Sequence, residues 1–251
     1  MFPTILITVT IFLFGLVIGS FLNVVILRVP NKEDIVKERS HCPKCGHTLA
    51  WYDLFPLFSY LGLKGKCRYC KEKISIQYPV IEALNGVMYV IIFLTYEVSV
   101  ESLLYCLLVS ALIALSVIDF RTYEIPVGFC VFIGILGIAR VATDPENVFD
   151  YLLGAVAVSA VLAILYYGSK GRAIGGGDVK LMAACGFLLG WQKIVLAFTL
   201  GCILGSVIHI IRMKVSKQGR MLAMGPYLSV GVMIAALWGD RLITWYASLL
   251  K

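Results

Sequence analysis

The chain has 251 residues, 60% of them hydrophobic, and a formal net charge of +7. Soluble domains hold about 45–50% apolar residues; here the excess is gathered into runs long enough to cross a bilayer, about 20 residues each, so a soluble globular protein is excluded. The positive charge does not argue for a nucleic-acid partner, because Lys and Arg accumulate in the cytoplasmic loops of membrane proteins.

Residues 1–27 carry no charge, and the first basic residue is Arg28. A signal peptide has a basic stretch before its apolar core, so this segment is expected to be an uncleaved first membrane helix, 1–28. A polar stretch, 29–79, follows. Seven further spans are predicted at about 80–97, 101–119, 124–141, 149–168, 178–191, 194–212 and 225–247. The expected fold is therefore an all-α polytopic membrane protein of about eight transmembrane helices with one small cytoplasmic loop domain, and 80–251 forms a seven-helix core.

Orientation follows from the basic residues. If the first helix starts outside, the cytoplasmic segments 28–79, 120–123, 169–177 and 212–220 hold seventeen Lys and Arg, and the opposite segments hold four. That asymmetry predicts both termini outside and the polar loop inside.

The loop carries Cys42-Pro-Lys-Cys45 and, twenty-one residues later, Cys67-Arg-Tyr-Cys70. Two such knuckles about 15–20 residues apart read as a zinc ribbon. Each turns two thiolates toward one ion, and together they complete a closed tetrahedral site for structural Zn2+. Disulfides do not suit a reducing cytoplasm. His41 and His47 flank the first knuckle as alternative ligands. The four other cysteines lie singly in apolar runs, as small packing residues do.

Three acidic residues fall at or within spans, where an ionisable group is costly and a candidate for function: Glu82, Asp119 and Asp178. Asp119 ends an inward-running span, and Asp178 opens an outward-running one after Gly175, Gly176 and Gly177. Topology alone thus puts both carboxylates at the cytoplasmic face. Two close carboxylates share a proton, so one can activate water while the other protonates a scissile carbonyl. The three glycines are expected to let the backbone approach an extended peptide and take positive φ. Taken alone, these residues leave two simpler possibilities open: Asp178 as a helix cap, and Asp119 paired with Arg121. A cation- or proton-coupled transporter using the same aspartates, or an assembly scaffold, is the rival function.

Several motifs together resemble the bacterial type IV prepilin peptidases, the leader peptidase/N-methyltransferases. They are Gly19-Ser-Phe-Leu-Asn-Val-Val-Ile-Leu-Arg-Val-Pro30, the two knuckles, Trp51-Tyr-Asp-Leu-Phe-Pro-Leu-Phe-Ser-Tyr-Leu61, Gly65-Lys-Cys-Arg-Tyr-Cys70, Tyr78-Pro-Val-Ile-Glu82, Ile118-Asp119, Gly175-Gly-Gly-Asp-Val-Lys-Leu181 and Gly225-Pro-Tyr-Leu228. The resemblance implies a GxGD-type aspartic peptidase of the bacterial cytoplasmic membrane, with Asp119 and Asp178 as the catalytic pair. Its substrates would be type IV prepilins or pseudopilins, cut at the cytoplasmic face. It implies further that a chain with this cysteine loop methylates the new N-terminus with S-adenosylmethionine. Glu82 is then a candidate contact for methyl donor or substrate. Leu54 and Val127 stand where the family commonly has Asn and Asp. Lys180, two residues past Asp178, is a candidate electrostatic neighbour, Asn23 a candidate interhelical hydrogen bonder and Arg28 an interface anchor.

Overall fold

A computed structural model describes residues 2–172, 174–216 and 222–249. Four of the nine residues of the predicted cytoplasmic segment 212–220 and the terminal Lys251 lie outside them. Among the described residues the chain forms ten α-helices: α1 Phe2–Asn31, α2 Phe58–Gly62, α3 Gln77–Tyr96, α4 Val100–Thr122, α5 Val127–Thr143, α6 Val148–Ala157, α7 Ser159–Gly168, α8 Gly176–Leu189, α9 Trp191–Ser216 and α10 Gly225–Leu249. There is no β-strand among them, only two isolated bridges.

Six helical segments are long and apolar enough to cross a membrane: α1, α3, α4, α6 with α7 taken together, α9 and α10. The chain is an all-α, multi-pass membrane protein. The two other predicted spans are helical but shorter, 17 residues in α5 and 14 in α8. At 1.5 Å per residue α8 is only about 21 Å long. The predicted fifth span is broken at Val158. The first span runs three residues further than expected, carrying Pro30 in its last turn. Lys32, with φ of 58°, closes it.

The chain divides into two compact units, Met1–Ala114 and Leu115–Lys251. In the first, α1 packs along α3. Glycines make that approach possible: a Cβ on Gly15 would lie 2.8 Å from the Gly86 Cα, and one on Gly19 would lie 2.7 Å from the Glu82 Cα. Polar side chains lock the register. The Asn85 amide donates to the Gly15 carbonyl at 2.7 Å, and Ser110 of α4 donates to Asn85 at 2.9 Å. The expected interhelical bond of Asn23 is present, to the Tyr78 carbonyl at 3.2 Å.

In the second unit α8 is the centre. It packs against α5, α6, α7 and α9 and buries Leu181, Met182, Cys185, Leu188 and Leu189. A side chain on Gly154 or Gly186 would collide with the other's backbone, so α6 and α8 meet nearly backbone to backbone. α10 pairs with α9.

Candidate active site and metal centre

Asp119 and Asp178 belong to the second unit, and the local chain explains the position of each. Asp119 lies in the last turn of α4 and is only 4% exposed. The Gly225 amide, at the first residue of α10, donates to its Oδ2 at 2.8 Å. A helix N-terminus is a favourable place for a carboxylate, and the next residue, Pro226, has no N–H to offer. A Cβ on Gly225 would lie 2.6 Å from the same oxygen, so only glycine permits this contact. Sequence reasoning did not single out Gly225 as a partner of Asp119. Its signal was a Gly-Pro pair opening an apolar run.

Asp178 stands in the first turn of α8, where its amide donates to the Gly175 carbonyl at 3.2 Å. The three glycines before it do not take positive φ; the positive-φ glycines among the described residues are Gly46, Gly65, Gly171 and Gly190. Their role is close approach. A Cβ on Gly177 would lie 2.9 Å from Ile125 Cβ, one on Gly176 would lie 3.4 Å from the Tyr166 ring, and one on Gly175 would lie 3.1 Å from Asp178 Oδ2. The loop after α4 therefore packs on the start of α8. The charge of Asp119 reaches Asp178, so the two carboxylates are electrostatic neighbours. The thiol of Cys130 on α5 feels both Lys180 and Asp178.

The cysteine loop belongs to the first unit. The Sγ atoms of Cys42, Cys45, Cys67 and Cys70 all lie within 4.8 Å of one another, and Cys42 and Cys70 are 3.9 Å apart. Tetrahedral zinc with bonds of about 2.3 Å requires sulfurs about 3.8 Å apart, so the four thiols fit that ion. Each knuckle has the same backbone turn. Gly46 N donates to Cys42 O and Cys42 N to His47 O; Lys71 N donates to Cys67 O and Cys67 N to Glu72 O. The Cys45 amide directed at Cys42 sulfur draws that thiol down to about 7, against the opposing effect of burial. The cluster contains neither histidine. His47 instead stacks on Tyr69, ring centroids 3.6 Å apart, which ties the two knuckles together.

Asp53 braces the second knuckle. Its Oδ1 accepts from Arg68 at 2.6 Å and its Oδ2 from the Tyr69 hydroxyl at 3.1 Å. Desolvation pushes this carboxyl up, but Arg68, the Ala50 amide and Tyr69 outweigh it and hold it below the usual carboxylate range.

Glu82 is 6% exposed and its Oε2 accepts from the Leu57 amide at 2.7 Å. The bond holds the loop against α3, at a residue whose φ of 61° would otherwise be unfavourable. Arg28, expected as an anchor, is 7% exposed and donates to the carbonyls of Asp34, Glu38 and Arg39. It organises the chain leaving α1.

A multi-pass helical protein with neighbouring aspartates at two helix ends and a four-thiol loop is a membrane enzyme in outline. Comparison with known proteins makes the class definite. Residues 13–96 match the model of the bacterial peptidase A24 N-terminal domain, and residues 106–210 match that of the type IV leader peptidase family. The chain is 33% identical over 272 residues to a prepilin leader peptidase/N-methyltransferase of Aeromonas salmonicida (strain A449), covering 95% of this chain and 93% of the relative. It is 31% identical over 239 residues to the protein of that name from Bacillus subtilis (strain 168), covering 94% and 96%. With the Myxococcus xanthus (strain DK1622) protein it shares 37% over 211 residues, covering 82% and 63%. No solved structure matches. The chain belongs to the type IV leader peptidase family and is a membrane peptidase. The transporter alternative gains no support from either comparison.

Proposed function

We propose that the chain cleaves the leader of type IV prepilins or pseudopilins at the cytoplasmic face of the bacterial cytoplasmic membrane, with Asp119 and Asp178 as the catalytic pair. The observation that supports this reading is the Gly225 amide bonded to Asp119, with Asp178 at the start of a helix in the same unit of the fold. One carboxylate takes a proton from water, and the resulting hydroxide adds to the scissile carbonyl carbon. The other, protonated, carboxyl gives its proton to the carbonyl oxygen. The tetrahedral intermediate collapses as the carboxyl that took the water proton gives it to the leaving nitrogen and the other carboxylate regains a proton from the diol, giving one acid and one amine. The Gly225 amide fixes the Asp119 carboxyl throughout.

The relatives are also named N-methyltransferases, and that activity, on the new amine, is proposed for the loop 29–79. Cys42, Cys45, Cys67 and Cys70 would hold Zn2+, which supplies folding energy to a loop too small for its own core. S-adenosylmethionine would supply the methyl group. Glu82, a buried carboxylate that accepts from the Leu57 amide, is the candidate contact for methyl donor or substrate. Residues 80–251 are assigned to the peptidase core, with membrane lipid around it. Both termini are assigned to the outer side.

The deciding experiment is cleavage of a prepilin-like substrate by purified protein, read by mass spectrometry. Asp119→Asn and Asp178→Asn should each lower cleavage by about a hundredfold or more. Normal cleavage in either variant removes that residue from the mechanism. Methylation is read in the same spectra as a methyl group gained with added S-adenosylmethionine.

A further inference from the structure

The loop has an apolar face that the peptidase reading does not use. Trp51, Leu54, Phe55, Phe58 and Leu61 are between 42% and 72% exposed. They crowd into eleven residues as one apolar stripe of sequence, from the short turn Trp51–Leu54, across the non-helical link at Phe55–Leu57, into α2. The polar groups of the same segment are directed into the protein. Asp53 is bonded to Arg68 and Tyr69, and the Leu57 amide is bonded to Glu82. This is the reverse of what a water-bathed loop would present.

The Leu57–Glu82 bond also sets the depth of the segment. Glu82 lies five residues past the start of α3, about 7.5 Å along its axis. It is level with Val80 and Leu84, which are exposed on that span. Leu57 is thus held at that depth, against the buried face of α3. Basic residues follow the stripe at Lys64, Lys66, Lys71 and Lys73, all exposed. From Arg28 to Pro79 the chain has ten Lys and Arg against five Asp and Glu.

We propose that the face of Trp51, Leu54, Phe55, Phe58 and Leu61 lies in the headgroup region of the bilayer, so that the loop docks on anionic phospholipid rather than standing off in water. Aromatic residues favour that depth, and an apolar stripe beside lysines suits an anionic surface. Such docking holds the zinc loop flat on the membrane from which a substrate's new N-terminus emerges.

The test uses the full chain in vesicles of phosphatidylethanolamine and phosphatidylglycerol. Trp191→Phe, Trp238→Phe and Trp245→Phe together leave Trp51 as the only tryptophan. Its emission should be blue-shifted, quenched about twofold or more by lipids brominated near the headgroup, and little affected by aqueous iodide. If the triple variant does not fold, the difference between wild type and Trp51→Phe under the same quenchers gives the same reading. Red-shifted emission quenched by iodide and not by brominated lipid overturns the proposal. So does protection from iodide that appears only when a prepilin is added, which would assign the face to substrate.

Discussion

A carboxylate can be placed by a single backbone amide only if nothing stands between them, and Gly225 meets that condition. A Cβ there would lie 2.6 Å from Asp119 Oδ2, closer than any real contact, so Gly225→Ala must move the aspartate or the helix. A misplacement of about 1 Å at a reacting group costs about a hundredfold in rate. Gly225→Ala is therefore expected to reduce kcat for leader cleavage by between ten- and a hundredfold, with KM less affected. Gly134→Ala is the control, since a Cβ at Gly134 meets nothing within 4 Å; it should cleave like wild type. Equal activity in the two variants would remove the Gly225 amide from the site. The aspartates were legible in the sequence because a charge at a span end is conspicuous. The amide was not, since every residue but proline carries one. Arg28 and Glu82 show the same limit: their partners are backbone groups of Asp34, Glu38, Arg39 and Leu57, and no side-chain pattern announces them.

The knuckles are the element most plainly written in the chain. Two Cys-x-x-Cys turns give a closed thiol cluster almost regardless of the intervening sequence, and the four sulfurs do converge. Removing one ligand should be decisive. Cys42→Ser or Cys67→Ser is expected to lose bound zinc by metal analysis and to make residues 41–74 protease-sensitive, with leader cleavage retained to within about threefold if folding is what the metal supplies. Loss of cleavage in step with zinc would show that the peptidase needs the loop. The Asp53–Arg68 contact was hidden, since it joins two exposed-looking residues fifteen apart. Its pH behaviour has a definite sign. Asp53 is held below the usual carboxylate range, so its stabilising contribution is complete above about pH 4. It is lost as pH falls through the lowered value. Protease resistance of the loop should weaken in that acidic window in the wild type. In Asp53→Asn the change should be flatter. A profile unchanged by the substitution would mean that Asp53 does not brace the knuckle. The Arg68 side chain is 44% exposed, so the effect is modest.

At the scale of the whole molecule, hydropathy alone located the six membrane-length helical segments among the described residues, because twenty apolar residues have few fates other than a bilayer. What it did not supply was length and continuity. The fifth span breaks at Val158, and α8, packed against four other helices, is only 14 residues long. The ends of these helices sort by chemistry. Asp119, Asp178 and Gly225 mark one end of the second unit. Elsewhere in the unit, between α5 and α6, Tyr151 donates to Asp144 at 2.6 Å and Arg140 donates to Tyr151 at 3.0 Å, and Lys193 at the start of α9 pairs with Asp240 of α10 at 2.8 Å. The seventeen-to-four distribution of basic residues is the ground for the proposal that the aspartate end faces the cytoplasm. This orientation is open to a direct check that does not disturb the cysteines. Fusions truncated after Glu146 or after Gln192 should give active alkaline phosphatase and dark green fluorescent protein. Fusions after Lys64 or after Gly171 should give the reverse. The inverted pattern would put Asp119 and Asp178 on the outer face, where a leader still attached on the cytoplasmic side could not reach them, and the proposed cleavage would fail on geometry alone.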